Sequence, residues 1–470
     1  MNLNRLLLSS VSKFPNNKLF LQGKDNINYI QFYETIHKYR SFMVKKDIIK
    51  GDRIVILGNN SSTWAAIYYA ALSLGVVCVP IYKNQHANVK KHIFNEVEPK
   101  YIFDVCHSYQ LAKCSDELKE DEISSDDPAI ILYTSGTTGL AKGIELTHNN
   151  IISNLNAIND LLPKDTITEN DKYVSFLPWS HCYGLTCELN FLISKGASVG
   201  INTDVKNLMN DFHVYNPTIL CAVPKLFQTI YSKIHYLPID IIKHSPFMKN
   251  KIKSSIFGKS FRFATVGGAS ISKDLLEFYD KLNIELYQGY GMTETSPMVS
   301  LNVPGKNRIG SVGSILNCNK VEIDPTNSEI CIEGNNVMKN VNKYRTGDMG
   351  EIIDGYLYIT GRIKEQYKLS NGKFVNPAYI EDILLQIPAI KQIMVCDHNE
   401  EYNIALVVSD KNEDYIMKEI LLISHKLKKY EIPQKIIIIK DLFTVENGML
   451  SAKFSLKRDV IKKRYLERKL

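Results

Sequence analysis

Short apolar, β-branched runs recur along the first two-thirds of the chain, separated by stretches of helical length. RIVILG (Arg53–Gly58), PAIILYT (Pro128–Thr134), YVSFLP (Tyr173–Pro178) and TILCAVP (Thr218–Pro224) are examples. Runs of this kind read as strands buried on both faces, and their alternation with helices predicts α/β layering. From about residue 309 to 359 the texture changes to short strands with Gly and Asn turns (GSVGSIL, SEICIEG, DGYLYIT), which predicts a small β-rich subdomain. After Gly361 comes the charged stretch GRIKEQYKLSNGKFVNP. The strands IKQIMVCD and NIALVVS follow it, then a helix through Tyr415 to Tyr430, then the strand QKIIIIK. The expected organisation is a large domain over 1–361 and a small, mobile α+β domain over 362–470.

The longest apolar stretch, Trp64 to Tyr82, is long enough to raise a membrane span. Gly75 followed by VVCVP predicts a helix, a turn and a buried strand instead. The length of 470 residues exceeds what one hydrophobic core serves comfortably, in keeping with more than one domain. Hydrophobic content of 44% and charged content of 23% are those of an ordinary globular protein. The net charge of +7 suits anionic substrates without naming one, and no nucleic-acid partner is expected. Residues 453–470 hold eight basic residues against Asp459 and Glu467. They read as a solvated terminal helix, with attraction to a membrane surface as the alternative. Nine scattered cysteines without a CxxC pair argue against a disulfide framework and a structural zinc site, and point to a reducing, cytoplasmic setting. The N-terminus lacks a secretory cleavage pattern.

The most informative segment is Tyr133-Thr-Ser-Gly-Thr-Thr-Gly-Leu-Ala-Lys-Gly143, directly after the apolar run IILY. Gly136 and Gly139 let backbone N–H groups approach an anion closely. Thr134, Ser135, Thr137 and Thr138 add hydroxyl donors, and Lys142 adds a charge for the same polyphosphate. A Walker A loop is excluded by spacing, because Lys142 lies three residues past Gly139 and precedes Gly143. A plain Ser/Thr/Gly turn is the other reading, and rarely combines this hydroxyl density with a terminal Lys-Gly.

YTSGTTGLAKG resembles the signature of the acyl-adenylate-forming superfamily, which includes acyl-CoA synthetases, luciferases and peptide-synthetase adenylation domains. Further segments resembling that family recur in order along nearly the whole chain. LPWSHCYGL resembles its LPxxHxxG segment, which implies that His181 lies at the acyl pocket; Cys182 and Cys187 nearby read as packing residues. VGGAS resembles the turn along the adenine ring, implicating Gly268 and Ala269. YQGYGMTETSP implies Gln288, Tyr290 and Gly291 at the nucleotide, with Tyr290 stacked on adenine, Thr293 at the α-phosphate and Glu294 on magnesium. The residue types suit those tasks: an aromatic face, a hydroxyl donor and a hard carboxylate oxygen. YRTGDMG implies that Asp348 accepts the ribose hydroxyls, and GRIKEQ implies Arg362 at the ribose and Lys364 as the hinge.

The C-terminal segment DLFTVENGMLSAKFSLKR and KEQYKLSNGKFVNP are similar to long-chain acyl-CoA synthetases. The gapless match puts Ser455 where the family has its adenylation lysine, with Lys453 and Lys457 nearest. Lys453 is the expected substitute, with a weakened adenylation half-reaction as the alternative. The resemblance implies ATP, Mg²⁺ and coenzyme A, activation of a medium- to long-chain fatty acid to acyl-AMP, and transfer to coenzyme A through a tunnel beside Lys368 to Lys373. Loading of a carrier-protein thiol, and a nucleotide-binding pseudoenzyme, are the competing readings.

Overall fold

The computed structural model describes residues 1–470 apart from 24, 112–122, 136–140, 239–241, 243, 399–400, 445–446, 451–455 and 467–470. Four sheets organise the chain. In the largest, Lys18–Leu21, Ser198–Ile201, Lys172–Ser175, Ile219–Ala222, Phe263–Val266 and Glu285–Gly291 lie side by side and parallel. Alternation of side chains sends Ile219, Cys221 and Phe263 into one core and Leu220, Ala222, Ala264 and Val266 into another. Helices cover both faces, which is why these strands read as unbroken apolar runs.

At Glu285–Gly291 the pairing changes sense. Met298–Leu301, Ser314–Ile315, Tyr356–Arg362, Tyr344–Ile353, Glu329–Gly334 and Asn319–Ile323 follow in antiparallel order, and Ile27–Asn28, antiparallel to Lys18–Leu21 at the other edge, makes the thirteenth strand. The expected β-rich segment is therefore joined to the parallel strands by hydrogen bonds, and it keeps a core of its own around Val299, Val312, Ile330, Ile332 and Leu357. Its outer edge strand carries Lys320 and Glu322, which pair with one another at 2.6 Å, and Lys343, just before the next strand but one, also pairs with Glu322.

A second sheet orders Tyr101–Asp104, Arg53–Leu57, Val77–Ile81, Pro128–Ser135 and Ala141–Thr147, the last pair forming a hairpin. Trp64 to Tyr82 forms the helix Ser62–Leu72, a turn and the strand Val77–Ile81. Gly75 makes that turn at φ +66°, a conformation disfavoured for residues with a Cβ. Among the described residues no helix is long and apolar enough to cross a membrane.

Beyond Arg362 a short hairpin (Tyr367–Lys368 with Phe374–Val375) leads to a three-stranded sheet of Gln392–His398, Tyr402–Val408 and Lys435–Ile439. Separate cores on its two faces are built on Val395, Val407 and Ile416, and on Met394, Leu406 and Ile461. Two expectations need correction here. The helix expected through Tyr430 stops at Ile423 and is followed by a 3₁₀ turn at Ser424–Lys426. The terminal helix Arg458–Tyr465 is not simply solvated, because Ile461 is fully buried and Arg458 reaches Glu381 at 2.6 and 2.7 Å and Glu365 at 3.3 Å.

Candidate active site

The hydroxyl-rich segment becomes the end of a hairpin. Thr134 and Ser135 close the outgoing strand, Lys142 opposes Thr134 on the return, and Gly136, Thr137, Thr138 and Gly139 lie outside the described residues. Lys142 is exposed. The return strand ends at Thr147, whose hydroxyl caps the helix His148–Leu161 in a reciprocal pair with Asn150. Asn150 then donates to the carbonyls of Asn335 and Val337, both at 2.8 Å, and Asn154 donates to Met298 O at 2.7 Å. One helix thus fixes that hairpin against the antiparallel strands.

The segment Met292–Pro297 lies beside that hairpin, with the 3₁₀ turn Thr293–Thr295 against the strand Ala141–Thr147. Backbone and side-chain bonds hold it: Met338 N donates to Glu294 O at 2.8 Å, and Asn336 donates to Thr295 O at 2.7 Å. Gly291 precedes the turn, and a Cβ there would overlap the Pro297 carbonyl, so no larger residue fits. Tyr344 reaches the Glu294 carboxylate; burial first, and that carboxylate second, push its phenol up.

Asp348 sits opposite Arg362 in neighbouring strands, nearly buried. Its Oδ1 accepts from Arg362 Nε at 2.8 Å and its Oδ2 accepts from the Tyr290 hydroxyl at 2.8 Å. Burial raises the carboxyl above its ordinary range, opposed by Arg362 and by the Tyr290 hydrogen bond. A carboxylate offers about four acceptor sites, so two remain for a ligand diol. Gln288 pairs with Val266 in the adjacent parallel strand, which brings Gln288–Gly291 beside Gly267–Ala269 at the carboxyl ends of both strands. Gly268 and Ala269 are exposed there. Crevices at such strand ends, where the sheet changes sense, are the usual ligand sites of open α/β sheets.

The residues fit a magnesium nucleotide. There is an aromatic ring, a buried carboxylate with spare acceptor capacity, hydroxyls on two elements and the half-buried carboxylate of Glu294. Among the described residues no three His, Cys, Asp or Glu side chains cluster as a metal cage. A magnesium ion held by one carboxylate and substrate phosphates needs none.

Beneath this crevice lies a narrow cavity with an almost wholly apolar lining. Tyr183, Thr265 and Cys221 line it near the carboxyl ends of the strands, and Phe263 and Ile219 two residues earlier. Leu162, Ile167 and Phe191 line it as well. The Tyr183 hydroxyl bonds the Thr265 hydroxyl at 2.9 Å. His181 is exposed and does not line the cavity, whereas Tyr183 and Cys187, two and six residues further on, do.

Behind the segment Phe176–Ser180 is a residue that no motif singled out. Glu188, on the π-helical stretch Gly184–Asn190, is fully buried and accepts from the Ser175 hydroxyl at 2.6 Å and from Leu177 N at 3.4 Å. Burial pushes its carboxyl up to about 8, against the lowering effect of those donors. Asn60 bonds the same segment, donating to Leu177 O at 2.8 Å and accepting from Trp179 N at 2.9 Å. Lys364 occupies the exposed 3₁₀ turn after Arg362, and Lys368 lies over the Phe374 ring at 5.6 Å. Lys453 and Ser455 lie outside the described residues. The eight described cysteines are free thiols, and Cys182 and Cys187 are buried as expected of packing residues.

The family model described as AMP-binding enzyme matches residues 7–340. The long-chain-fatty-acid–CoA ligase FadD15 of Mycobacterium bovis is 26% identical over 451 residues, covering 78% of this chain and 74% of the relative. Long-chain-fatty-acid–CoA ligase 1 of Cavia porcellus is 27% identical over 533 residues, covering 86% and 76%. Among solved structures, o-succinylbenzoate CoA synthetase of Bacillus subtilis, in complex with its acyl-adenylate, superposes with a TM-score of 0.80 at 22% identity, covering 97% of each chain. With the match spanning most of the chain and the nucleotide-type residues gathered in one crevice, the chain belongs to the AMP-binding enzyme family, as an AMP-forming ligase.

Proposed function

We propose that the chain activates a medium- to long-chain fatty acid as acyl-AMP and transfers the acyl group to coenzyme A. The observation that carries the choice of acid is the narrow apolar cavity under the nucleotide crevice, lined by Ile219, Cys221 and Phe263 of two neighbouring strands.

A carboxylate is a poor acyl donor because its leaving group would be oxide. Attack of a carboxylate oxygen on the α-phosphorus of ATP forms a mixed anhydride and expels pyrophosphate. The thiolate of coenzyme A then attacks the acyl carbon and AMP departs. Positioning and charge neutralisation dominate such a step. In this reading Asp348 and Arg362 orient the ribose and Tyr290 faces the adenine. Gln288, Gly291, Gly268 and Ala269 wall the base, and Thr134, Ser135, Thr293 and Lys142 bind the phosphates. Glu294 would hold Mg²⁺, which supplies positive charge on the phosphate oxygens. Arg362 to Lys364 form the boundary about which the small domain turns, and Lys368 flanks the thiol path.

Carboxylate-dependent exchange of labelled pyrophosphate into ATP tests the proposal. Exchange should rise with fatty acids of increasing length, and coenzyme A should convert the product to thioester. Folded protein with Mg²⁺ that shows no exchange from acetate to palmitate overturns the enzymatic reading. Exchange without transfer to coenzyme A favours a carrier-protein acceptor.

A further inference from the structure

We propose that the face formed by the helices Pro224–Ile234 and Pro246–Phe257 is a docking surface for a bilayer bearing anionic lipid headgroups. Residues 224–259 contain seven lysines, no arginine and a single acidic residue, Asp240, with Asp240 and Lys243 outside the described residues. The two helices cover the same face of the large sheet. Phe227 and Ile230 of the first, and Ile256 and Phe257 of the second, enter one core, with the Phe227 and Phe257 rings 6.4 Å apart. Their other faces point to solvent, and there the segment departs from an ordinary charged surface. Phe247 is 76% exposed and Tyr236 74% exposed, with Met248 at 40% and Tyr231 at 38%. Phe247 precedes the buried Ile256 by nine residues, two and a half turns, and so lies on the opposite side of its helix. Lys251, one turn after Phe247, shares that outer side, while the half-buried Lys249 and Lys253 flank it.

Exposed aromatic and thioether side chains set among lysines, with a single acid in the segment itself and Glu277 of the flanking helix paired with Lys273, match a surface whose outer layer is anionic and whose next layer is hydrocarbon. Nucleic acid is the weaker fit. Planar recognition of phosphates favours arginine, of which there is none. In the basic C-terminal stretch, three residues of the described helix are committed elsewhere. Arg458 pairs with Glu381 and Glu365, Lys462 with Asp397 at 2.6 Å and Arg464 with Asp441 at 3.6 Å. The proposal stands apart from the choice of acyl substrate.

The test is co-sedimentation of the full chain with vesicles of phosphatidylcholine alone or with added phosphatidylserine, at low and high salt. Binding should require phosphatidylserine and fall steeply with salt. K249E/K251E/K253E should weaken it roughly a hundredfold. Y236S/F247S should weaken it about tenfold while leaving the salt dependence in place. K463E, on the terminal helix, should bind as the parent does, and all three variants should keep pyrophosphate exchange with a soluble short acid, which reports an intact fold. Absence of binding to phosphatidylserine vesicles at low salt, or unchanged binding of the triple variant, overturns the proposal. Displacement of the vesicles by polyuridylate at lower concentration than by soluble phosphoserine assigns the face to nucleic acid instead, and also overturns it.

Discussion

Two buried titrating side chains bracket the chain's response to pH in opposite senses. His148 accepts from Leu3 N at 3.3 Å through Nδ1, its Nε2 is buried without a partner, and burial lowers it to about 4, with Asp127 and Lys50 opposing one another. A group depressed on folding contributes stability that is complete above its unfolded value, near 6.5, and lost as pH falls through about 4. Glu188 is raised on folding, so its contribution is complete below about 4.5 and lost as pH rises through about 8. H148N should therefore flatten the fall of the urea midpoint below neutrality, and E188Q should flatten the fall above it. Unchanged profiles would mean that other groups set them. At the site, E294Q should cripple pyrophosphate exchange while leaving the unfolding midpoint near the parent's, and D348A should cripple it in protein that stays folded at a lower midpoint. D348A removes charge-assisted hydrogen bonds of about 1.5–3 kcal/mol each. Parent-like exchange would mean the roles are misassigned.

At the level of elements, the sequence was most legible where chemistry is local. The hairpin through Thr134 and Lys142, the turn at Thr293–Thr295 and the strand holding Asp348 each sit within one short segment. What escaped the sequence were partnerships over long separations. Asn150 with Val337, Glu188 with Ser175 and Arg458 with Glu381 leave no spacing to read, because the fold alone brings them together. The helix expected to Tyr430 ends early for a related reason. Its pattern continues, but Glu431 and Tyr430 turn to hold Lys428 N and Asn403. Arg458 locks its helix to the turn that carries Glu365, just after Arg362. R458A should destabilise the C-terminal sheet by about 3–5 kcal/mol, because Glu381 loses its charged partner in the core and keeps only the Val395 N–H donor. R458M/E381L should recover most of that in urea denaturation. Failure of the double variant to recover would locate the effect in packing.

At the scale of the whole molecule, the large sheet runs unbroken from the parallel strands to the antiparallel ones, whereas the strands after Arg362 form sheets of their own. The layered architecture and the change of texture near residue 309 could be read from apolar runs and turns. Strand order could not, since it depends on pairings between segments far apart in the chain. The expected division of labour between large and small domains has a kinetic signature. K453A should lose adenylation by roughly a hundred- to a thousandfold, and still convert supplied acyl-AMP and coenzyme A to thioester. K457A should do little. Loss confined to K457A would move the catalytic lysine to that position.

The sheet's antiparallel end leaves Asn319–Ile323 as an outer strand, with unpaired backbone groups along one side. The cluster of Lys320 and Glu322 on it with Lys343 beside it is worth little as stabilisation, being exposed. Its value is as a guard on solubility. A charged edge repels or wets any second strand that would extend the ladder, and a bare apolar one recruits it. Replacing Lys320 and Glu322 with valine would leave the monomer's melting temperature almost unaltered, yet turn it into a protein that self-associates through that edge and clears from solution as its concentration rises.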